Sequence, residues 1–296
     1  MRYGAQEGVA YSLSRYTDLV ATKWDWFREQ IRQGSFEGFR TDELMPDRWS
    51  LNPEHVESLV FWTKDPRNIV CSQKLLEPYI RSNAIKVHMT LTGWEEVEKG
   101  APTLSRGLDL MKDVVGALRP YDVYWRFSPI PLLPKVQIVE RYKRIANMAG
   151  SLGLPNVMVS FLQDNGKIPE TRTDQEKLDI LSELGNASNL KVVLCRDDDL
   201  LRRCNVEKTS KLQEGICWGT DWIWEIGRGG KSPPKERCGC HVMVDPFTMN
   251  EVCAISCGYC YSANPEGKRV NTTKGPSGPR GSSVRHLPLL KDVVST

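Results

Sequence analysis

Long apolar segments are missing from this chain of 296 residues. Its purely apolar runs are only a few residues long, whereas a membrane-spanning helix needs about 20. The first residues, MRYGAQEGVAYS, carry no apolar stretch behind Arg2, so no secretory signal is predicted. With 40% hydrophobic and 26% charged residues, the composition is that of an ordinary globular protein. We therefore expect a cytoplasmic protein that does not contact a membrane.

A strong excess of one charge is also missing, since the net charge is only +3. Six of the 40 basic and two of the 37 acidic side chains lie from Tyr261 onward, so the rest of the chain is close to neutral. That balance gives no case for nucleic-acid binding by the main body. The glycine motifs that cradle nucleotide phosphates, GxxxxGK[ST] and GxGxxG, are absent too.

Short apolar segments alternate with longer segments of helical period. The segments rich in Val, Ile, Trp, Tyr and Phe predict strands at residues 9–13, 58–63, 84–91, 122–127, 157–162, 191–195 and 241–245. Apolar side chains spaced by three and four predict helices at residues 22–32, 71–81, 103–118, 136–149 and 173–184, with Asp174 supporting the start of the last helix.

This alternation predicts an α/β protein with a parallel sheet. A partial or near-complete (β/α) barrel and an open, doubly wound sheet both fit, and in either fold the loops at the carboxyl ends of the strands build the site. We expect one barrel domain over residues 1–263, including a cysteine-rich loop at 238–261. Residues 264–296 form a basic segment rich in Gly, Pro and Ser, which we expect to be largely disordered.

The nine cysteines are unevenly placed, and five of them fall within 23 residues. Three form the motif CAISCGYC, with thiols at Cys253, Cys257 and Cys260. One short loop can wrap these thiols around a single inorganic cluster, and Fe–S clusters are held by thiolates. Because a four-iron cubane needs four ligands, three local thiolates leave one iron open. An open coordination position is typical of a reactive metal centre.

Two other interpretations of the cysteines stay open at this point. Cys257 and Cys260 with the pair Cys238 and Cys240 form a possible structural zinc site, for which His241 is the alternative ligand. The second interpretation is that the thiols are buried side chains that bind no metal and that their clustering is a coincidence.

The motif C-x3-C-x2-C, with the aromatic Tyr259 before its third cysteine, resembles that of the radical S-adenosylmethionine superfamily. The resemblance implies that Cys253, Cys257 and Cys260 ligate a [4Fe–4S] cluster. It also implies that S-adenosylmethionine chelates the open iron and is reductively cleaved to a radical that abstracts hydrogen from a substrate. An electron donor such as flavodoxin or ferredoxin is implied with it. The substrate is unknown.

A narrower resemblance covers about residues 11–263. It rests on the segments SRYTD (14–18), VFWTKDP (60–66), LTG (91–93), VYWRFSPI (123–130), VSFL (159–162) and the cysteines from Cys238 to Cys260. These segments resemble, in order, the bacterial family catalogued as domain of unknown function 1848. That family is described as carrying a C-terminal cysteine cluster like that of radical S-adenosylmethionine enzymes, and it has no assigned reaction.

In most members of the superfamily the cysteines follow the first strand, whereas in this chain they follow the last predicted strand. This position implies a circular permutation. If the last strand lies beside the first, residues 14–18 must lie next to the cysteine loop. In the superfamily the corresponding loop binds the cofactor. The resemblance therefore implies a cofactor-binding set of Ser14, Arg15, Thr17, Asp18, Arg126 and Tyr259.

Within this set, Asp18 is expected to accept from the methionyl ammonium and Arg15 to pair with the carboxylate. The alternative interpretation is that Asp18 caps the helix that follows it. Arg126 lies inside an apolar strand, where a buried guanidinium needs either a ligand carboxylate or an internal acid. Two alternative functions remain: a structural zinc or Fe–S protein without radical chemistry, and a nucleic-acid repair or modification enzyme that is guided by the basic segment.

Overall fold

A computed structural model describes residues 8–14, 17–40, 46–162, 170–195, 200–204, 212–214, 244–246, 253 and 255–259. The strands are β1 (Val9–Ser12), β2 (Ser35–Arg40), β3 (Pro46–Ser50), β4 (Val56–Thr63), β5 (Ile85–Thr90), β6 (Val123–Ile130), β7 (Asn156–Phe161), β8 (Lys191–Leu194), β9 (Leu212–Glu214) and β10 (Val244–Pro246). The helices are α1 (Leu19–Thr22), α2 (Trp24–Gln33), α3 (Arg67–Cys71), α4 (Gln73–Arg81), α5 (Leu104–Ala117), α6 (Lys135–Ser151), α7 (Asp174–Ala187) and α8 (Leu200–Arg203).

The strands form one sheet in the order β3-β2-β10-β1-β4-β5-β6-β7-β8-β9. Within the described residues, the eight strands from β10 to β9 run parallel. The last strand lies beside the first, with Tyr11 paired to Val244, as expected for a permuted barrel. The α/β prediction with a parallel sheet is therefore confirmed.

The two faces of the sheet differ in what covers them. Leu59 and Phe61 of β4 belong to the main apolar core, which also holds helix residues such as Phe27 and Met111. Between them on β4, Val60 and Trp62 face the other way, in a small cluster that contains no helix residue. In the part of the chain that the structure describes, the helices pack on the face that carries Leu59 and Phe61, an arrangement typical of a (β/α) barrel.

The barrel is partial in the part of the chain that the structure describes. Its outer strands are β3 and β9, and no described residues pair these two strands. On the β10 side the sheet continues into the antiparallel hairpin of β2 and β3, because β2 pairs with β10 on the side away from β1. The sequence did not predict this hairpin, because its segments SFEGFR and PDRWS mix apolar, charged and turn residues. None of the described helices is long and apolar enough to cross a membrane.

The helix boundaries are set by capping groups. The helix predicted at 22–32 begins earlier and breaks at Lys23, because the Asp18 side chain caps α1 by accepting from the amide of Ala21. Helix α7 begins after Thr173, which forms a capping box with Glu176, so the cap is Thr173 and not Asp174. The helix predicted at 71–81 corresponds to α4, which begins after Ser72 and is preceded by the short helix α3.

A buried ion pair lies at the amino ends of β5 and β6. Lys86, 1% exposed, donates to one oxygen of Asp122, and Arg119 donates to the other oxygen at 2.7 Å. Burial lowers the pKa of Lys86, and the carboxylate of Asp122 opposes that shift. Removing one member of such a pair leaves an uncompensated buried charge, which is far costlier than the loss of a surface pair.

Replacing Asp122 by Ala should therefore lower the free energy of unfolding by about 3–5 kcal/mol, measured by urea denaturation. Arg119→Ala is the matched control, because the Arg119 side chain is 49% exposed and should cost about 1 kcal/mol or less. Equal losses in the two variants would show that the buried Lys86 does not depend on its partner.

Candidate functional site

The described part of the cysteine motif, Cys253 and residues 255–259, forms a loop that we call the cysteine loop. It follows β10 and docks on the segment after β5. The amide of Gly258 donates to the carbonyl of Val97 at 2.8 Å, and the amide of Gly100 donates to the carbonyl of Ile255 at 3.0 Å. Ile255 is buried at 3% exposure and anchors the loop. The loop therefore lies at the carboxyl ends of the parallel strands, where such sheets build their sites.

The segment after β1 lies directly beside the cysteine loop. The backbone N–H of Asp18 donates to Sγ of Cys253 at 3.4 Å, across 235 residues of sequence. The contact follows from the parallel pairing of β1 with β10, because both segments leave the same end of adjacent strands. The expected proximity of the two loops is thus seen in the structure for Asp18 and Cys253.

The carboxylate of Asp18 is fully used by the protein. One oxygen accepts from the amide of Ala21 at 3.0 Å, and the other accepts from the hydroxyl of Thr63 at 3.0 Å and the amide of Lys64 at 2.8 Å. Burial raises the pKa of Asp18 to about 6, against the lowering effect of these hydrogen bonds. The capping interpretation thus accounts for the carboxylate without a ligand, and its contact with a methionyl ammonium stays a prediction.

Two hydroxyls of the same segment have no hydrogen-bond partner among the described residues. The Oγ of Ser14 and the Oγ1 of Thr17 are buried, on residues less than a tenth exposed, and neither makes a hydrogen bond within the described structure. A buried hydroxyl without a partner costs free energy. These two orphaned groups, next to Asp18 and Cys253, are therefore the ones that a bound polar molecule would satisfy.

A carboxylate that the sequence did not single out connects the cysteine loop to two further strands. Glu98 Oε1 accepts from Lys64 Nζ at 2.9 Å, from Thr92 Oγ1 at 2.8 Å and from the hydroxyl of Tyr259. Burial raises the pKa of Tyr259 well above its usual value, and the nearby charges of Glu98 and Cys257 add to the effect. Tyr259 therefore stays protonated and acts as a donor.

The inner face of the sheet carries polar and aromatic side chains toward the same end. The guanidinium of Arg126 lies 5.1 Å from the Trp62 ring centroid, and Trp62 stacks on His88 at 4.0 Å. The hydroxyls of Ser128 and Ser160 contact each other across β6 and β7. His88 is fully buried, as expected for a core histidine.

Several predicted groups lie outside the described residues, namely Arg15, Cys238, Cys240, His241, Cys260 and the basic segment 264–296. Neither Cys253 nor Cys257 forms a disulfide within the described residues. Within the described part of the chain no three His, Cys, Asp or Glu side chains are grouped as a metal site. Because Cys260, the third cysteine of the motif, lies outside the described residues, the ligand set stays a prediction.

Sequence comparison places the chain in a family. The model of the family described as Domain of unknown function (DUF1848) matches residues 11–262. The chain belongs to this family. None of the curated proteins compared with this DUF1848 chain matches it.

One solved structure resembles the DUF1848 chain distantly. The crystal structure of a "putative dihydrodipicolinate synthetase" from Pseudomonas aeruginosa is 17% identical, with a TM-score of 0.32. The match covers 57% of this chain and 51% of that protein, so the chain spans about half of its length.

The capping function of Asp18 in this DUF1848 protein can be tested by its stability. Asp18→Ala should lower the free energy of unfolding by about 2 kcal/mol, because the N-cap and the bonds from Thr63 and Lys64 are lost together. Urea denaturation measures the change. Asp25→Ala is the control, since Asp25 is a 95% exposed partner of Arg28. If Asp18→Ala were as stable as Asp25→Ala, the carboxylate would be free to serve a ligand.

Proposed function

We propose that this DUF1848 protein is a radical S-adenosylmethionine enzyme in which Cys253, Cys257 and Cys260 hold a [4Fe–4S] cluster. The observation that carries the proposal is the docking of the cysteine loop at the carboxyl ends of β1, β4 and β5, with Cys253 on the amide of Asp18. A metal site that only holds the end of the chain in place does not need to lie at the carboxyl ends of the strands, whereas a reactive centre does.

The chemistry of the donors fits such a cluster. Cys253 and Cys257 are half-buried cysteines four residues apart, and neither is in a disulfide within the described residues. Hydrogen bonds to cysteine sulfur tune Fe–S clusters, and the amide of Asp18 supplies one to Cys253. The orphaned hydroxyls of Ser14 and Thr17 add buried polar groups that need a partner. Both features are expected beside a site that takes a polar cofactor.

When bound, the cluster and S-adenosylmethionine would supply the radical that abstracts hydrogen from the substrate. The residues of the chain would bind and orient the cofactor and the substrate, and they would exclude water. Ser14 and Thr17 would bind polar groups of S-adenosylmethionine, with Arg15 and Arg126 as candidates for a carboxylate and Tyr259 as a wall of the site. The polar inner face around Arg126, Ser128 and Ser160 would hold the unknown substrate. A flavodoxin- or ferredoxin-like donor would supply the electron.

The permutation is part of this proposal. In the superfamily the cysteines usually follow the first strand, and here the described cysteines follow β10. Parallel pairing of β10 with β1 restores the spatial order of the strands even though the order along the chain differs. The loop after β1 would then correspond to the superfamily loop that binds the methionyl group.

Anaerobic reconstitution should load about four irons and four sulfides per chain, because three thiolates in one loop suit a single cubane. Replacing Cys253, Cys257 or Cys260 by Ala should abolish loading, measured by iron and sulfide content. Cys71→Ala and Cys204→Ala are the controls and should load normally. Stoichiometric zinc together with a failure to load iron would instead support a structural zinc protein.

S-adenosylmethionine should perturb the electron paramagnetic resonance spectrum of the reduced cluster and yield some 5′-deoxyadenosine with dithionite. The double variant Ser14→Ala/Thr17→Val should weaken that binding about tenfold with unchanged iron content, since each lost hydrogen bond costs about 0.5–1.5 kcal/mol. Ser151→Ala, an exposed hydroxyl at the end of α6, is the control. Unchanged affinity of the double variant for S-adenosylmethionine would show that neither hydroxyl binds the cofactor.

A further inference from the structure

Three donors from three different parts of the chain meet on one buried carboxylate oxygen. Lys64 follows β4, Thr92 follows β5, and Tyr259 belongs to the cysteine loop, and all three donate to Glu98 Oε1. The side chain of Glu98 is 5% exposed and that of Lys64 is 12% exposed. A charge-assisted network at this depth is stronger than one at the surface, and each member depends on the others.

Glu98 is the side-chain link between the cysteine loop and the ends of β4 and β5 in this network. The loop is also attached by the buried side chain of Ile255, by backbone contacts from Gly258 to Val97 and from Gly100 to Ile255, and by the contact of Cys253 with the amide of Asp18. Tyr259 lies two residues beyond Cys257, so the position of its ring limits where that thiol can lie. Lys64 Nζ also lies 5.7 Å from the centroid of this ring.

We infer that Glu98 is the positioning residue of the cysteine loop. Through Tyr259 it fixes Cys257, and with Lys64 it places a neutral pair of opposite charges beside the thiols. The geometric part of this inference concerns the thiols alone. Its electrostatic part rests on the proposed [4Fe–4S] cluster, because it concerns the reduction potential of that cluster.

The geometric part is tested on the full chain without metal. Iodoacetamide alkylation is followed by mass spectrometry of peptides that contain Cys253, Cys257 or Cys71. Glu98→Ala and Tyr259→Phe should raise the alkylation rate of Cys257 about tenfold, because a released loop opens more often. The exposed Cys71 is the internal reference and should react at an unchanged rate.

The matched control is Glu96→Gln, an exposed acid two residues from Glu98. Glu98→Gln keeps an accepting oxygen and should restore a slow rate at Cys257, which keeps the test decisive if Glu98→Ala folds poorly. Equal rates at Cys257 in Glu96→Gln and Tyr259→Phe, with Cys71 unchanged, would overturn the positioning role. A rise at Cys71 as large as that at Cys257 would also overturn it, since it would report general unfolding.

The electrostatic part is tested on the reconstituted protein by redox titration. Glu98→Gln should make the potential more positive, because reduction adds negative charge and a nearby negative charge opposes it. Lys64→Met should make the potential more negative, and the double variant should return toward the wild-type value. A purely structural role predicts shifts of one sign, and that result would overturn this part. If the wild-type protein loads no cluster, the proposed function fails while the alkylation experiment still decides the role of Glu98.

Discussion

The candidate site depends on the parallel pairing of β1 with β10. This pairing joins the beginning of the described sheet to its last strand, with Tyr11 beside Val244. Because parallel strands present their carboxyl ends at the same edge, the segments that follow β1 and β10 meet there. The amide of Asp18 consequently reaches Sγ of Cys253 across 235 residues. Without that pairing the thiols would have no fixed relation to the orphaned hydroxyls of Ser14 and Thr17.

Buried charges serve different purposes at the two ends of the strands. At the amino ends, Lys86 and Asp122 satisfy each other with Arg119, and all three groups are used within the protein. At the carboxyl ends, Lys64 and Glu98 hold a loop that carries the cysteines Cys253 and Cys257. The first arrangement contributes to stability, because each of its charges has a partner within the protein. The second holds reactive groups in place, which is typical of the end of a (β/α) sheet that carries function.

Much of the fold could be predicted from the sequence. Six of the seven predicted strands correspond to β1 and to β4 through β8, with ends shifted by a few residues, because buried parallel strands are near-continuous apolar runs. Of the seventh, predicted at 241–245, residues 244 and 245 lie in β10 and the rest lies outside the described residues. The cysteine motif can also be recognised from the sequence, because thiols have a distinctive chemistry wherever they lie. The helix starts were less predictable. Asp18 and Thr173 fix them through hydrogen bonds, and a residue next to a cap, such as Asp174, carries the same composition signal as the cap itself.

The remaining features depend on environment, which a single sequence does not contain. The hairpin of β2 and β3 is stabilised by pairing with β10, more than 200 residues away, so neither segment has a strong strand signal of its own. Glu98 has the same limitation. Glu95 and Glu96 beside it are exposed, and the sequence does not distinguish the three acids. Glu98 becomes a candidate for function only because folding brings Lys64, Thr92 and Tyr259 to one of its oxygens, so that its role is a property of the assembled sheet.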